Sequence, residues 1–173
     1  MDTAQDAGAP DIVTRALIFA TRGHGSQQRK YTGEPYIVHP IEVMMLVRAH
    51  AGTPQMQAAA LLHDVVEDTP VTLDEIEREF GGEIALLVAG MTEPAWEGNR
   101  SKRKALECAR LAATAPEVQT IKYADIVSNS ASILAHGRGF SKVYIGEMRA
   151  LLEVMDKGDQ ALLERARASL DGS

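Results

Sequence analysis

An all-α, single-domain helical bundle of about eight to ten helices is what this sequence predicts, on three observations. Apolar residues recur at three- and four-residue spacing along most of the 173 positions. Capping residues and prolines punctuate that pattern at intervals of one helix length. No segment of four or more residues alternates as a strand, and no repeat, low-complexity tract or linker divides the chain. Residues 1–9 (MDTAQDAGA) read as a flexible N-terminal segment, and residues 10–173 as one domain.

Pro10 suits a first helical turn, and Ile12, Leu17 and Ile18 begin an apolar stripe that runs to about Thr21. The following RGHGSQQRKYTGEPY is a loop of unusual length for a small domain, and long ordered loops tend to be functional. Helix resumes after Pro40 with IEVMMLVRAHA and stops at Gly52. Thr53 and Pro54 supply an N-cap and a first-turn proline for an Ala- and Leu-rich helix that carries His63 and Asp64 and ends at Pro70. Apolar on most sides, that helix is expected at the centre. Thr72 and Glu75 form a capping box for a short helix closing at Phe80-Gly81. Another apolar helix covers Glu83 to Met91, and EPAWEGN leads into RSKRKALECARLAAT. Pro116 starts the helix bearing Asp125, which runs to about His136-Gly137. From Lys142 to Leu170 the pattern gives two amphipathic helices hinged near Gly158, serving either a homodimer interface or closure of the core.

A composition 45% hydrophobic and 24% charged is that of an ordinary globular domain long enough to bury a core. No apolar run reaches membrane-span length, and the acidic, small-residue start lacks the basic and apolar regions of a signal peptide. The single cysteine, Cys108, excludes an internal disulfide framework and a Cys-rich zinc site, so a reducing cytoplasmic setting is expected. A net charge of −6 argues against nucleic acid as a partner. A small anionic substrate needs basic residues gathered locally, and two gatherings exist: Arg29-Lys30, and Arg100 with Lys102, Arg103 and Lys104.

The chemistry concentrates in AAALLHDVVEDTP, where an apolar helix carries His63, Asp64, Glu67 and Asp68. Burying such charge is costly unless a cation offsets it. With His39 in YIVHP and Asp125 in KYADIVSN, a His-His-Asp-Asp site from three helices would hold one divalent ion and leave positions for water and substrate. Mixed imidazole and carboxylate ligands suit Mn²⁺, Fe²⁺ or Zn²⁺. Helical i, i+4 spacing places His63 above Glu67 and Asp64 above Asp68, so the two acids could orient or deprotonate the water.

RGHGSQQRKYTGEPYIVHP, LLHDVVEDTPVTLDEIEREFG and KYADIVSN resemble, in order and spacing, the HD-superfamily hydrolase domain of the alarmone synthetase/hydrolases of the RelA/SpoT type. They resemble equally the small alarmone hydrolases, including the metazoan SpoT homologues. The likeness covers about residues 10 to 160 and implies the helical HD-hydrolase fold with one Mn²⁺. It implies hydrolysis of the 3′-pyrophosphate of guanosine tetra- or pentaphosphate to GDP or GTP plus pyrophosphate, ending stringent-response signalling. It implies His39, His63, Asp64 and Asp125 as metal ligands, and Glu67 and Asp68 as the acids that activate water. It also implies Arg29, Lys30 and Asn129 as nucleotide contacts, and Tyr144 as a further one. Lys102, Arg103 and Lys104 are candidates for the distal phosphates, or else a solvated face. Lys122 can pair with Asp125 or with substrate. His24 is expected to support the loop, and His50 and His136 to be surface residues. The chain departs from the family after Asp125, where IVSNSAS replaces a basic or leucine-rich stretch. It also ends where a synthetase domain would begin, so a hydrolase acting alone is expected. Rival readings are the same site acting on adenosine alarmones or as an NADPH 2′-phosphatase, and a non-catalytic alarmone sensor.

Overall fold

The computed structural model describes residues 10–136 and 139–171; the segment 1–9 and the Gly137 helix end lie outside the described residues. Among the described residues there are ten helices: α1 (Ile12–His24), α2 (Val38–Ala49), α3 (Pro54–Leu62), α4 (Val65–Asp68), α5 (Leu73–Phe80), α6 (Gly82–Met91), α7 (Arg100–Ala113), α8 (Pro116–His136), α9 (Phe140–Val154) and α10 (Gln160–Ser169). The all-α expectation holds. Extended pairing among the described residues is limited to one isolated antiparallel bridge, Gln28 with Pro35, inside the long loop.

The Ala- and Leu-rich helix is central, as its composition requires. Residues Ala58 to Leu62 of α3 are wholly buried, and α3 packs against α1, α2, α6 and α8. Small alanines let four neighbours approach one short helix, which is how it becomes the axis of the core. The long α8 forms the second axis, in contact with α2, α6, α9 and α10. At the hinge between α9 and α10, a Cβ on Gly158 would lie 2.6 Å from Tyr123, so only glycine lets this turn lie against α8.

Local signals held at most helix ends. Thr53 Oγ1 accepts from the Met56 N–H, and the Thr72–Glu75 capping box is closed in both directions. Several boundaries differ: α1 runs on to His24, past Thr21 and into the expected loop, α2 stops at Ala49, α9 begins at Phe140 rather than Lys142, and three others have a local cause. α1 starts at Ile12 because Asp11, not a residue before Pro10, accepts the Val13 and Thr14 N–H groups. α2 begins at Val38, two residues before Pro40, since a first-turn proline lacks only an N–H that has no helical partner anyway. The expected continuous helix from Pro54 towards Pro70 is broken at His63-Asp64, between α3 and α4. There the His63 Nδ1–H donates to the Ala60 carbonyl at 2.7 Å, the oxygen that the Asp64 N–H would take in an unbroken helix.

Candidate metal centre

Three pieces of the fold converge on one point. His39 stands in the first turn of α2, His63 and Asp64 occupy the α3–α4 break, and Asp125 lies midway along α8. His39, His63 and Asp125 are buried, and one ligand atom of each lies within 4.8 Å of the others. Asp64 completes the group: its Oδ2 is 3.5 Å from His39 Nε2 and 3.1 Å from His63 Nε2. Asp125 Oδ1 is 3.2 and 3.8 Å from the same two nitrogens.

Hydrogen-bond partners settle which ring atoms face the centre. The Ala60 carbonyl can only accept, so His63 must donate from Nδ1. Ser128 donates its hydroxyl to Glu42 Oε2 at 2.6 Å, because a carboxylate only accepts. Its oxygen, 2.8 Å from His39 Nδ1, is therefore left to accept from that ring. Both neutral rings thus turn a bare Nε2 inward, and those two buried atoms have no hydrogen-bond donor. Two imidazole lone pairs facing two carboxylates, with no proton among them, make a donor set that a divalent cation fits. A proton does part of the same job in the metal-free protein. Burial alone would lower His63, but Asp64 and Asp125 outweigh it and push its pKa up to about 9. His39 is raised in the same way, against its burial, by hydrogen bonds to Asp125 and Asp64.

The carboxylates are held as anions. Burial works against ionised Asp125, yet the Lys122 ammonium and the imidazoles keep it well below the usual carboxylate range. Lys122 Nζ lies 2.8 Å from Asp125 Oδ2, and the Asn129 amide donates to Oδ1 at 2.7 Å. Asp64 is likewise held down against its burial, chiefly by His63, and accepts the Tyr36 hydroxyl at 2.6 Å. Tyr36 is correspondingly pushed far above its ordinary value, first by burial and then by Asp64.

The paired acids reach different partners. Glu67 accepts the Glu93 backbone N–H and lines a chamber of about 80 Å³ with Lys122, Lys104 and Glu107. Its carboxyl is raised, first by burial. Asp68 turns the other way and accepts the Gln27 amide of the long loop at 3.0 Å. Asp68 keeps the helical spacing from Asp64, its N–H donating to the Asp64 carbonyl at 2.9 Å.

The nucleotide-contact candidates are spread around this centre. Arg29 is ion-paired to Glu42 at 3.1 Å, while Lys30 is exposed with its ammonium 5.6 Å from the Tyr31 ring centre. Asn129 faces Asp125, and Tyr144 is buried, its hydroxyl 3.4 Å from the Ile126 carbonyl. In the basic run, Lys104 pairs with Glu93 and lines the chamber, Arg100 pairs with Glu147, and Lys102 and Arg103 are exposed. His24 supports the loop as expected: its Nδ1 lies 2.9 Å from Gln27 Oε1 and its ring packs on Tyr36. His136 is exposed, but His50 is not a partnerless surface residue. It pairs at 3.0 Å with Asp159, the N-cap of α10. Sequence reasoning missed Tyr36, Glu42 and Ser128. Tyr36 and Ser128 stood within the quoted loop and KYADIVSN motifs, whereas nothing local marked Glu42, whose meeting with Ser128 is long-range.

Fold and centre together define an all-helical protein with a buried His-His-Asp group able to hold a divalent metal. The chain belongs to the HD-domain family, whose model matches residues 16–135. Its relatives bear out the resemblance to the ppGpp hydrolases. A probable guanosine-3′,5′-bis(diphosphate) 3′-pyrophosphohydrolase of Synechocystis is 49% identical over 82 residues, covering 47% of this chain and 11% of that protein. The guanosine-3′,5′-bis(diphosphate) 3′-pyrophosphohydrolase of Aquifex aeolicus is 46% identical over 81 residues, 47% of this chain and 12% of that protein. The corresponding enzyme MESH1 of Homo sapiens is 40% identical over 117 residues, 66% of this chain and 65% of that protein. The match thus spans about a tenth of the two long relatives and 65% of the human one. Among solved structures, a metazoan orthologue of SpoT that hydrolyses ppGpp superposes with a TM-score of 0.85 over 95% of this chain and 97% of that chain. At 24% identity this likeness speaks for the fold. A Listeria monocytogenes protein matches with a TM-score of 0.68 at 29% identity, over 81% of this chain and 96% of that one. No helix among the described residues is long and apolar enough to cross a membrane.

Proposed function

We propose that this protein is a manganese-dependent phosphohydrolase of the cytoplasm. In this reading it removes the 3′-pyrophosphate of guanosine tetra- or pentaphosphate, giving GDP or GTP and pyrophosphate. The observation that carries the reading is the convergence of two bare, buried imidazole nitrogens on two carboxylates, in a chain whose relatives carry the name of that activity.

His39, His63, Asp64 and Asp125 would hold the ion. A divalent cation bound there supplies a Lewis acid that acidifies water and offsets phosphoryl charge. Lys122 keeps Asp125 ionised and oriented. Glu67, whose carboxyl is raised by burial, is suited to take up and return a proton during attack on the 3′-phosphoryl group. Asp68 is the second acid, tied through Gln27 to the loop that carries Arg29 and Lys30. Those two residues, with Asn129 and Tyr144, would flank the nucleotide. Lys104 in the chamber, with the exposed Lys102 and Arg103 of the same helix, would attract the terminal phosphates.

The test is product release from guanosine tetraphosphate, its adenosine analogue and NADPH, each with Mn²⁺ and after chelation. Pyrophosphate and GDP from the guanosine substrate, lost on chelation and regained with Mn²⁺, are expected. Turnover of NADPH alone, or turnover that survives chelation, would overturn the assignment.

A further inference from the structure

We infer that Ser128 and Glu42 are positioning residues that hold His39 as a bare-Nε2 metal donor, and that Arg29 joins this relay to the basic loop. The inference rests on the reading of His39 as a ligand.

The relay runs outward from the centre. His39 Nδ1 donates to Ser128 Oγ at 2.8 Å, Ser128 donates to Glu42 Oε2 at 2.6 Å, and Arg29 Nη1 donates to that same Glu42 oxygen at 3.1 Å. A serine hydroxyl has one proton. With that proton committed to a carboxylate, only lone pairs remain for the imidazole, and His39 is confined to the tautomer whose Nε2 is bare. Without this constraint, Asp125 at 3.2 Å and Asp64 at 3.5 Å from Nε2 would favour a proton on that nitrogen, where it would block a cation. His63 needs no such device, because the Ala60 carbonyl of its own helix fixes it.

A buried helical serine or threonine usually returns its hydroxyl to the carbonyl four residues back. Ser130 does so to Ile126, and Thr120 does so to Pro116, both on the same helix as Ser128. Ser128 instead reaches across to two residues of α2. Glu42 is half exposed, whereas the Arg29 side chain beside it is only 9% exposed. The loop therefore covers the outer end of the relay, and displacing Arg29 would loosen the hold on His39.

Calorimetric titration of the full chain with Mn²⁺ tests the relay, with the helical circular dichroism signal recorded for every variant. Ser128→Ala and Glu42→Gln are expected to weaken Mn²⁺ binding about 10- to 100-fold, the usual cost of losing such an outer partner, with helicity retained. Ser128→Thr, which keeps the hydroxyl, should bind close to wild type. Unchanged affinity in Ser128→Ala and Glu42→Gln would overturn the relay. Equal weakening in Ser128→Ala and Ser128→Thr beside an unaffected Glu42→Gln would also overturn it, as a packing effect. Equal affinity of wild type and His39→Ala would instead overturn the assignment of the centre itself, which separates the two failures.

Discussion

Two ionic clusters, Arg110–Glu107 and the His39–His63–Asp64–Asp125 group, bury charge in this fold, and only the second leaves lone pairs unspent. In the first, Arg110 grips Glu107 with two parallel bonds of 2.6 and 2.9 Å, the Trp96 indole donates to the same carboxylate, and the guanidinium also reaches the Gly90 carbonyl. Both Glu107 oxygens are used, and Arg110, after burial is set against it, holds the carboxyl below its ordinary value. In the second, the neutral rings of His39 and His63 spend their single N–H groups outward, and their inner nitrogens have no donor. Burial of charge is common to both clusters. Unspent, convergent lone pairs distinguish the second, and they mark a site rather than a structural ion pair.

Removing a member of each cluster should therefore have opposite consequences. The largest effect is expected for Asp64→Ala, which takes away a proposed ligand: turnover should fall by at least about 10²- to 10³-fold, as for loss of one strong electrostatic stabiliser. Its helical dichroism should survive, because Asp64 sits at a helix break rather than in the apolar core. Retained turnover would mean that the chemistry lies elsewhere. Next comes Arg110→Ala, which strands Glu107 as a buried, unpaired charge. A stability loss of about 3 kcal/mol is expected in urea unfolding, with turnover per folded molecule nearly unchanged. A variant as stable as wild type would show that the two clusters do not differ as described.

The smallest effect is a pH dependence confined to the metal-free protein. His63 is raised from its ordinary 6.5 to about 9 in the fold. A group raised on folding stabilises most when it is protonated in both states, that is, below about 6.5. That contribution is lost as pH rises through about 9. Urea midpoints of chelated protein should fall across this window, while Mn²⁺-loaded protein, in which the ion replaces the proton, should not share the fall. Parallel profiles with and without Mn²⁺ would break the contrast.

How much of this was legible depended on range. Caps and prolines act within one turn, so Thr53, Thr72 and Pro116 marked helix starts correctly. The four candidate ligands were readable because an apolar surround makes a charged residue conspicuous. The break at His63 was not, since it follows from a side chain competing for the Ala60 carbonyl within a strongly helical sequence. Nor was the divergence of Glu67 and Asp68, whose partners Glu93 and Gln27 come 26 residues later and 41 residues earlier in the chain.

By itself the sequence determined an all-helical core, its order of elements and a set of candidate donor residues, because periodicity, capping and ligand chemistry are properties of residue type and short spacing. Only the tertiary structure decided which atoms of those residues face the centre. His39 meets Ser128 across 89 residues, and the tautomer of the imidazole depends on what that distant hydroxyl does with its one proton. A hydrogen bond has direction, and its direction exists only once both partners have been brought together.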